Sequence, residues 1–244
     1  MKTSSYIAGA LLLAAVSAGA QAPVESTGPM LGEIAPYFSA ESTIGTVNFP
    51  DDYIYKWKVL FSHPADFTPV CTSEILELAA AQPEFDALRT KIVVVSVDPV
   101  ETHIQWEKSM EAISYKNREP VKIDFPIVSD ANLMISREYN MIHKNSGTTR
   151  DVRGVFIVDP KNRIRAIFYY PMEIGRNLPE IERTIAALQK ADDQHVSIPA
   201  NWEPGDDVLI PFGKTVAKDE KIFPAEDPDY YQLSWYMRFK KETK

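Results

Sequence analysis

Residues 91–97, with the sequence Lys-Ile-Val-Val-Val-Ser-Val, constrain the fold of this chain more than any other segment. Most of these side chains are β-branched, which favours an extended strand. A strand that faces water on one side alternates polar and apolar residues, whereas a nearly unbroken apolar run is typical of a strand buried on both faces. Asp98 and Pro99 then end the segment. The run therefore predicts a central strand in a sheet that is covered on both sides.

The segments around this strand alternate between strand-like and helix-like patterns. Strands are predicted at 58–63, 154–158 and 164–169, the last two joined by a turn at 159–162. Residues 23–52 are interpreted as a lead-in segment with a short β-prone patch at 44–49. Helices are predicted to begin at Cys71, with Pro83 as a kink or a break, and to lie at 102–114, 132–139 and 179–190. Strands that alternate with helices predict the α/β class, with helices on both faces of the sheet.

The first 22 residues have the features of a secretory signal peptide. Lys2 precedes an apolar run at 6–16, and the small residues that follow predict cleavage after Ala20 or Ala22. The run is shorter than the about 20 residues that a membrane-spanning helix needs, and a retained N-terminal anchor is the alternative. The sequence therefore predicts an exported protein, periplasmic or secreted, without membrane attachment after processing.

Composition divides the rest of the chain into a large domain at 23–191 and a small appended region at 192–244. The chain has 244 residues, of which 45% are hydrophobic, and this is enough apolar mass for a sizeable core. From residue 192 onward Pro, Asp and Trp become common and the periodicity weakens. The net charge of −8, without a long block of Lys and Arg, argues against nucleic acid as a partner.

Cys71 is the only cysteine in the chain. A single cysteine in an exported protein cannot form an internal disulfide. The residue is therefore a buried inert thiol, half of an intermolecular bridge, or a reactive thiol, and cysteine count alone leaves these three alternatives open.

The position of Cys71 favours a reactive thiol. The residue follows a predicted strand and falls in the first turn of a predicted helix, where unpaired N–H groups and the helix dipole stabilise a thiolate. Thr68, three residues earlier, is close enough for its hydroxyl to donate to the sulfur or to an oxygen bound beside it. Pro64 and Pro69 stiffen the turn. The alternative is that Thr68 only caps the helix and Cys71 packs as a small apolar residue.

The segment from Pro64 to Cys71 resembles the active-site signature of the peroxiredoxin family, Pro-x-x-x-Thr-x-x-Cys, and its flanks resemble the one-cysteine branch. Further similarities lie at Leu60-Phe-Ser-His-Pro64, at Ser96-Val-Asp98 with His103 and Trp106, at Asp124-Phe-Pro126, at Arg153-Gly-Val-Phe-Ile-Val158 and at Gly175-Arg-Asn177. The resemblance covers roughly residues 30–240. It implies a thioredoxin-like fold with a small C-terminal peroxiredoxin domain.

The resemblance also implies roles for individual residues. Cys71 corresponds to the peroxidatic nucleophile, Thr68 to a donor to the thiolate and the peroxide, and Arg153 to the cation that holds both. Pro64 corresponds to the residue that shields the pocket from water, and Arg176 to a second arginine that orients the active-site turn. Without the resemblance, nothing would distinguish these two arginines from ordinary surface arginines.

The four histidines give weaker signals. His63 ends the strand that leads to the site, and a structural hydrogen bond is favoured there over a catalytic or substrate-orienting role. His103, His143 and His195 lack metal-ligand spacing with one another or with Cys71. The sequence therefore predicts no metal and no cofactor.

A single cysteine also determines how the catalytic cycle closes. Peroxide converts a cysteine thiolate to a sulfenic acid, and without a second cysteine this must be resolved by an external thiol, either a small reductant or a protein partner. The resemblance implies hydrogen peroxide or small organic hydroperoxides as substrates, an antioxidant role, and a homodimer or a higher homo-oligomer. Residues 55–58 lack the serine associated with a lipase-like side activity in some relatives, and that activity is not predicted.

Two other functions are weighed against this prediction. A thiol–disulfide exchange protein of similar fold normally uses Cys-x-x-Cys, but Thr68 occupies the position of the earlier cysteine. A chaperone or interaction module would make Cys71 incidental. The occurrence of Thr68, Cys71 and Arg153 together in family positions argues against this second alternative.

Overall fold

The computed structural model describes residues 28–146, 150–211 and 228–242. The predicted signal peptide at 1–22 lies outside these residues, as does part of the appended region. Within the described part, the helices are too short or too polar to cross a membrane.

The described residues form strands and helices that alternate along most of the chain. The strands are β1 (Phe38–Ser42), β2 (Gly45–Phe49), β3 (Trp57–Ser62), β4 (Thr90–Ser96), β5 (Ile127–Ser129), β6 (Arg153–Val158), β7 (Ile164–Tyr170), β8 (Val208–Leu209), β9 (Tyr230–Ser234) and β10 (Met237–Lys240). The helices are α1 (Pro69–Ala80), α2 (Gln82–Ala87), α3 (Val100–Met110), α4 (Met134–Glu138) and α5 (Leu178–Gln194).

The large sheet is mixed and has the strand order β2-β1-β5-β4-β3-β6-β7. Strand β4 pairs in parallel with both β3 and β5, whereas β6 pairs antiparallel with β3 and β7. The run at 91–97 is thus a central strand, as the sequence predicts. The fold is of the mixed α/β, thioredoxin-like class, and the expectation of this class is confirmed.

The two faces of the sheet contribute to two separate apolar clusters. Along β4, Ile92 and Val94 belong to one cluster and Val93 and Val95 to the other, because successive side chains of a strand point to opposite faces. The first cluster also contains residues of α1, α2, α3 and α5, and the second contains residues of α4 and the N-terminal segment. Each fully buried side chain of this kind contributes about 1.5–3 kcal/mol.

Three elements differ from the sequence predictions. Strand β1 was not predicted because three of its five residues are polar, and β5 was not predicted because it has only three residues; both depend on pairing with neighbouring strands. The helix predicted at 102–114 ends at Met110, where the chain turns and the Glu111 carboxylate accepts a bond from the Ile123 N–H at 3.0 Å. Pro83 breaks the helix that contains Cys71, so that α1 and α2 are separate.

The appended region adds a small sheet of order β8-β10-β9. Its strands are short and partly exposed, which explains the weak periodicity of this part of the sequence. Trp202 and Val208 pack with Ala187 and Val196 in a third apolar cluster, which joins this region to α5.

Candidate active site

Cys71 lies in the first turn of α1, as the sequence predicts, directly after the turn that leaves β3. Thr68 is at the N-cap position with an extended backbone, φ −104° and ψ 146°, and Pro69 follows at the start of the helix. Proline suits this position because its missing N–H would have no partner in the helix. Cys71 is fully buried, with 0% exposure, near the unpaired N–H groups of the helix start. This position favours negative charge on the sulfur.

The Thr68 hydroxyl donates to the carbonyl of Ala65 at 2.9 Å. Thr68 is the N-cap residue, but its side chain makes no cap hydrogen bond. The hydroxyl has one hydrogen, and it is used in the bond to Ala65. The predicted donation to the sulfur therefore requires the hydroxyl to rotate about the Cβ–Oγ1 bond.

The side chain of Arg153 contacts the Cys71 sulfur. Its Nη1 lies 3.3 Å from Cys71 Sγ and 2.7 Å from an oxygen of Glu74. Its Nε and Nη2 donate to the carbonyl of Met172 at 3.0 and 2.7 Å. The guanidinium is fixed by these bonds at the start of β6, buried beside the sulfur. The structure thus brings Arg153 and Cys71 together although they are 82 residues apart.

Glu74 joins the two arginines of the site. It lies three residues after Cys71, on the same side of α1. Its two oxygens accept bonds from Nε and Nη2 of Arg176 at 2.9 and 2.8 Å, in addition to the bond from Arg153. Burial alone would raise the pKa of Glu74, but the charges and hydrogen bonds of the arginines outweigh burial and lower the pKa. Glu74 is therefore an anion that fixes both guanidinium groups.

Arg176 connects α1 to the sheet. Its Nη1 donates to the carbonyls of Ser62 and Gly154, each at 2.8 Å, and its guanidinium lies over the ring of Phe61 at 4.7 Å. It therefore holds the end of β3 and the start of β6 against the first turns of α1.

Pro64 and the next residues form the turn that carries Cys71. Pro64 is buried, and its carbonyl accepts a bond from Arg150 Nη1 at 3.2 Å. Phe67, immediately before Thr68, is more than half exposed and has a φ of 54°. A positive φ is unfavourable for an aromatic residue, so contacts elsewhere in the turn must maintain this conformation.

His63 makes a structural hydrogen bond, as the preferred interpretation predicts. Its Nε2 lies 2.9 Å from one oxygen of Asp66, and Nδ1 of His103 lies 2.7 Å from the other oxygen. The His63 ring also packs against Trp106, with ring centroids 4.9 Å apart. Burial lowers the pKa of His63, so the ring is neutral near pH 7.

The sequence analysis did not consider His63 together with His103, and the fold brings both rings to Asp66. The fold brings His63, Asp66 and His103 close enough to offer three metal ligands within 4.8 Å. However, His63 Nδ1 and His103 Nε2 are buried and have no hydrogen-bond partner among the described residues. A metal-binding histidine normally donates its second ring N–H to an acceptor. The group therefore fits a hydrogen-bond network better than a metal site.

Comparisons with known proteins agree with this geometry. Residues 31–167 match the model of the AhpC/TSA family, and residues 187–220 match the C-terminal domain of 1-Cys peroxiredoxin. A peroxiredoxin of Methanosarcina mazei is 44% identical over 216 residues, covering 88% of this chain and 99% of the relative. The mitochondrial peroxiredoxin PRX1 of Saccharomyces cerevisiae is 42% identical, covering 85% of this chain and 78% of its own length.

The chain belongs to the peroxiredoxin family. A solved structure of a yeast mitochondrial 1-Cys peroxiredoxin, described for its thiol resolving mechanism via glutathione/thioredoxin systems, aligns with a TM-score of 0.76 at 40% identity. The alignment covers 87% of this peroxiredoxin and 99% of the solved chain. A cysteine-to-serine mutant of peroxiredoxin 6 of Arenicola marina aligns with a TM-score of 0.77 at 30% identity, covering 89% and 100%.

This peroxiredoxin is a thiol-dependent peroxidase with an antioxidant function, and it contains one cysteine. In such an enzyme a thiolate attacks one peroxide oxygen, the O–O bond breaks, and the second oxygen leaves as water or alcohol after it takes up a proton. Arg153 is positioned to stabilise negative charge on the sulfur.

Glu74 is a residue of the site to which the sequence analysis assigned no role. Its local signal was its place three residues after Cys71, which puts both side chains on one helix face. Its bonds to Arg153 and Arg176 span 79 and 102 residues, and a single sequence carries no pattern for contacts of that separation.

Proposed function

We propose that Cys71 is the peroxidatic residue and that the enzyme reduces hydrogen peroxide and small organic hydroperoxides through a sulfenic acid on this residue. The observation that carries the proposal is the 3.3 Å contact between Arg153 Nη1 and the sulfur of the only cysteine. This places a fixed cation where charge develops during attack on peroxide, and preorganised charge of this kind is usually the largest contribution to catalysis.

The neighbouring residues have distinct roles in this proposal. Thr68 turns its hydroxyl from Ala65 toward the bound peroxide, and Arg153 holds the thiolate and the peroxide together. Pro64 excludes water, because its buried ring adds no donor to the turn. Arg176 fixes the turn through Glu74, and His63 contributes only to the positioning of the turn.

An external thiol returns the sulfenic acid to the thiol. The incoming thiol forms a mixed disulfide with Cys71 and releases water, and a second thiol then releases the reduced enzyme. The related yeast 1-Cys peroxiredoxin has a thiol resolving mechanism via glutathione/thioredoxin systems, and we extend this class of reductant to the present chain. The substrates and partners are therefore a hydroperoxide and an external thiol or reductant protein.

Export and self-association complete the proposal. Residues 1–22 act as a cleaved signal peptide, so the mature enzyme works in a periplasmic or extracellular compartment. A homodimer is the minimal assembly, as the resemblance to the one-cysteine peroxiredoxins implies.

A single-turnover reaction tests the assignment of Cys71. The reduced mature protein is mixed with one equivalent of hydrogen peroxide, and intact mass and tryptophan fluorescence are followed, with Cys71→Ser as the control. We expect rapid conversion to a species about 16 Da heavier, the mass of one oxygen atom, only in the protein that has the cysteine. Oxidation no faster than that of a free thiol would overturn the proposal and favour an interaction module.

A further inference from the structure

Asp66 is the most connected residue of the turn between β3 and α1. Its side chain is 2% exposed, and its two oxygens accept bonds from His63 and His103, at the end of β3 and in α3. Its backbone N–H donates to Asp98 at 2.8 Å, in the segment after β4. One residue thus attaches the turn to three different parts of the fold.

The charge of Asp66 makes these contacts strong. Burial alone would raise the pKa of Asp66, but the hydrogen bonds and charges of the two histidines outweigh burial, and the pKa is lowered. The buried carboxylate therefore remains ionised and depends on the two imidazole N–H groups. Hydrogen bonds to an ionised group are about twice as strong as those between neutral groups.

Arg150 makes a second set of contacts with the turn. Arg150 Nη1 bonds to both oxygens of Asp98, at 3.1 and 3.3 Å, and to the carbonyl of Pro64 at 3.2 Å. Phe67, whose strained backbone has a φ of 54°, lies between Asp66 and Thr68 in the sequence. The turn therefore keeps its conformation because Asp66 and Arg150 hold it from both sides.

The closed turn suits one half of the catalytic cycle and obstructs the other. Cys71 is 0% exposed, so every reactant needs some opening of the turn. A peroxide is small and needs only a small local opening. A reductant thiol is part of a larger molecule and must bring its sulfur to about 2.05 Å from Cys71 Sγ. The turn must move for that attack. Any residue that holds it closed therefore favours oxidation of Cys71 and slows access of a thiol.

We propose that Asp66 is a positioning residue which holds the Cys71 turn in its peroxide-reactive conformation and limits the access of external thiols. It acts through its bonds to His63 and His103 and does not contact the peroxide. The inference rests on the proposed function, in which Cys71 reacts first with peroxide and then with an external thiol.

The test compares two rates in the reduced, full-length mature protein. Asp66→Asn keeps the shape of the side chain but removes its charge. We expect oxidation of Cys71 by hydrogen peroxide to slow at least tenfold, and alkylation of Cys71 by a bulky maleimide to accelerate at least tenfold. A merely structural role would lower both rates in proportion to the folded fraction, which circular dichroism measures in the same samples.

Two further variants make the outcome decisive. Asp86→Asn, an exposed aspartate paired with Lys91, is the matched control and should leave both rates unchanged. Arg150→Gln leaves Asp66 intact and, because the Arg150 side chain is 43% exposed, should fold; it should shift both rates in the same directions by a smaller factor. Parallel loss of both rates, no change in either, or slower alkylation of Asp66→Asn would overturn the proposal. Failure of the wild-type protein to react with peroxide would instead refute the proposed function.

Discussion

Glu74 and Asp151 are both buried carboxylic acids close to Arg153, yet their surroundings are opposite. Glu74 accepts bonds from two guanidinium groups, and its pKa is lowered despite its burial. Asp151, two residues before Arg153, has 0% exposure and no hydrogen-bond donor from the described residues on either oxygen. Burial raises the pKa of Asp151 to about 7, and the charges of Asp130 and Asp98 act in the same direction.

The difference shows what allows a charge to remain inside this fold. A buried ion is stable where hydrogen bonds and opposite charges replace water, and otherwise it takes up or loses a proton. Ser136 is near Asp151, but its hydroxyl donates to Asp130 at 2.5 Å. Glu74 is thus a charged structural centre, whereas Asp151 is a neutral acid at mildly acidic pH.

Removing the charge of Glu74 should have the largest effect on stability. Glu74→Gln leaves two buried guanidinium groups without their anion, and a broken buried ion pair costs about 3–5 kcal/mol of unfolding free energy. Since the pKa of Glu74 is lowered from 4.5, its stabilisation is present at neutral pH and is lost as the pH falls through the folded-state pKa. Urea unfolding at neutral and acidic pH measures both effects, and an equal loss at both pH values would contradict them.

Removing the charge of Asp151 should stabilise the protein, and only at higher pH. The unfolded-state pKa is 3.8 and the folded-state pKa is about 7, so stability is fully present below the unfolded-state pKa and is lost as the pH rises to the folded-state pKa. Between pH 5 and pH 8, the unfolding free energy of Asp151→Asn relative to wild type should therefore rise by about 3 kcal/mol. Chemical denaturation at several pH values measures this difference; a difference that does not change with pH would show that Asp151 is ionised throughout.

The smallest effect is expected one turn further along α1. Glu77 bonds to Lys116 and Arg118, as Glu74 does to two arginines, but its side chain is 27% exposed. Exposed pairs contribute about 0–1 kcal/mol because water and salt screen them. Glu77→Gln should therefore change the unfolding free energy by less than about 1 kcal/mol, and it is the matched control for Glu74→Gln. If Glu77→Gln lowered the unfolding free energy as much as Glu74→Gln, burial would not explain the large effect expected for Glu74.

Sequence patterns predicted the elements that depend on local composition. Strand β4 was predicted because its β-branched run suits only a strand covered on both faces, and the position of Cys71 followed from the change from strand to helix spacing. By contrast, β1 contains mostly polar residues, and pairing with β2 and β5 determines its conformation. Pairing of this kind leaves no clear periodicity in the strand itself.

The candidate site divides in the same way. The motif around Cys71 predicted Thr68 and Pro64, whereas the roles of Arg153 and Arg176 depended on a resemblance, because nothing in their local sequence sets them apart. Glu74 lies three residues beyond the motif, and its function became visible only when the fold brought both arginines to it. Long-range ionic contacts were thus the part of the site that local patterns could not supply.

The most direct test of the account is the rate at which hydrogen peroxide oxidises Cys71 in Arg153→Lys, compared with wild type. Lysine keeps the positive charge but presents it from one atom on a flexible stem, whereas the planar guanidinium bonds to the sulfur and Glu74 on one side and to the Met172 carbonyl on the other. The account predicts a fall of about 10²–10³-fold, the usual effect of losing one preorganised donor to developing charge, in protein that remains folded. An unchanged rate in the folded variant would contradict the claim that the fixed guanidinium of Arg153 makes Cys71 reactive toward peroxide.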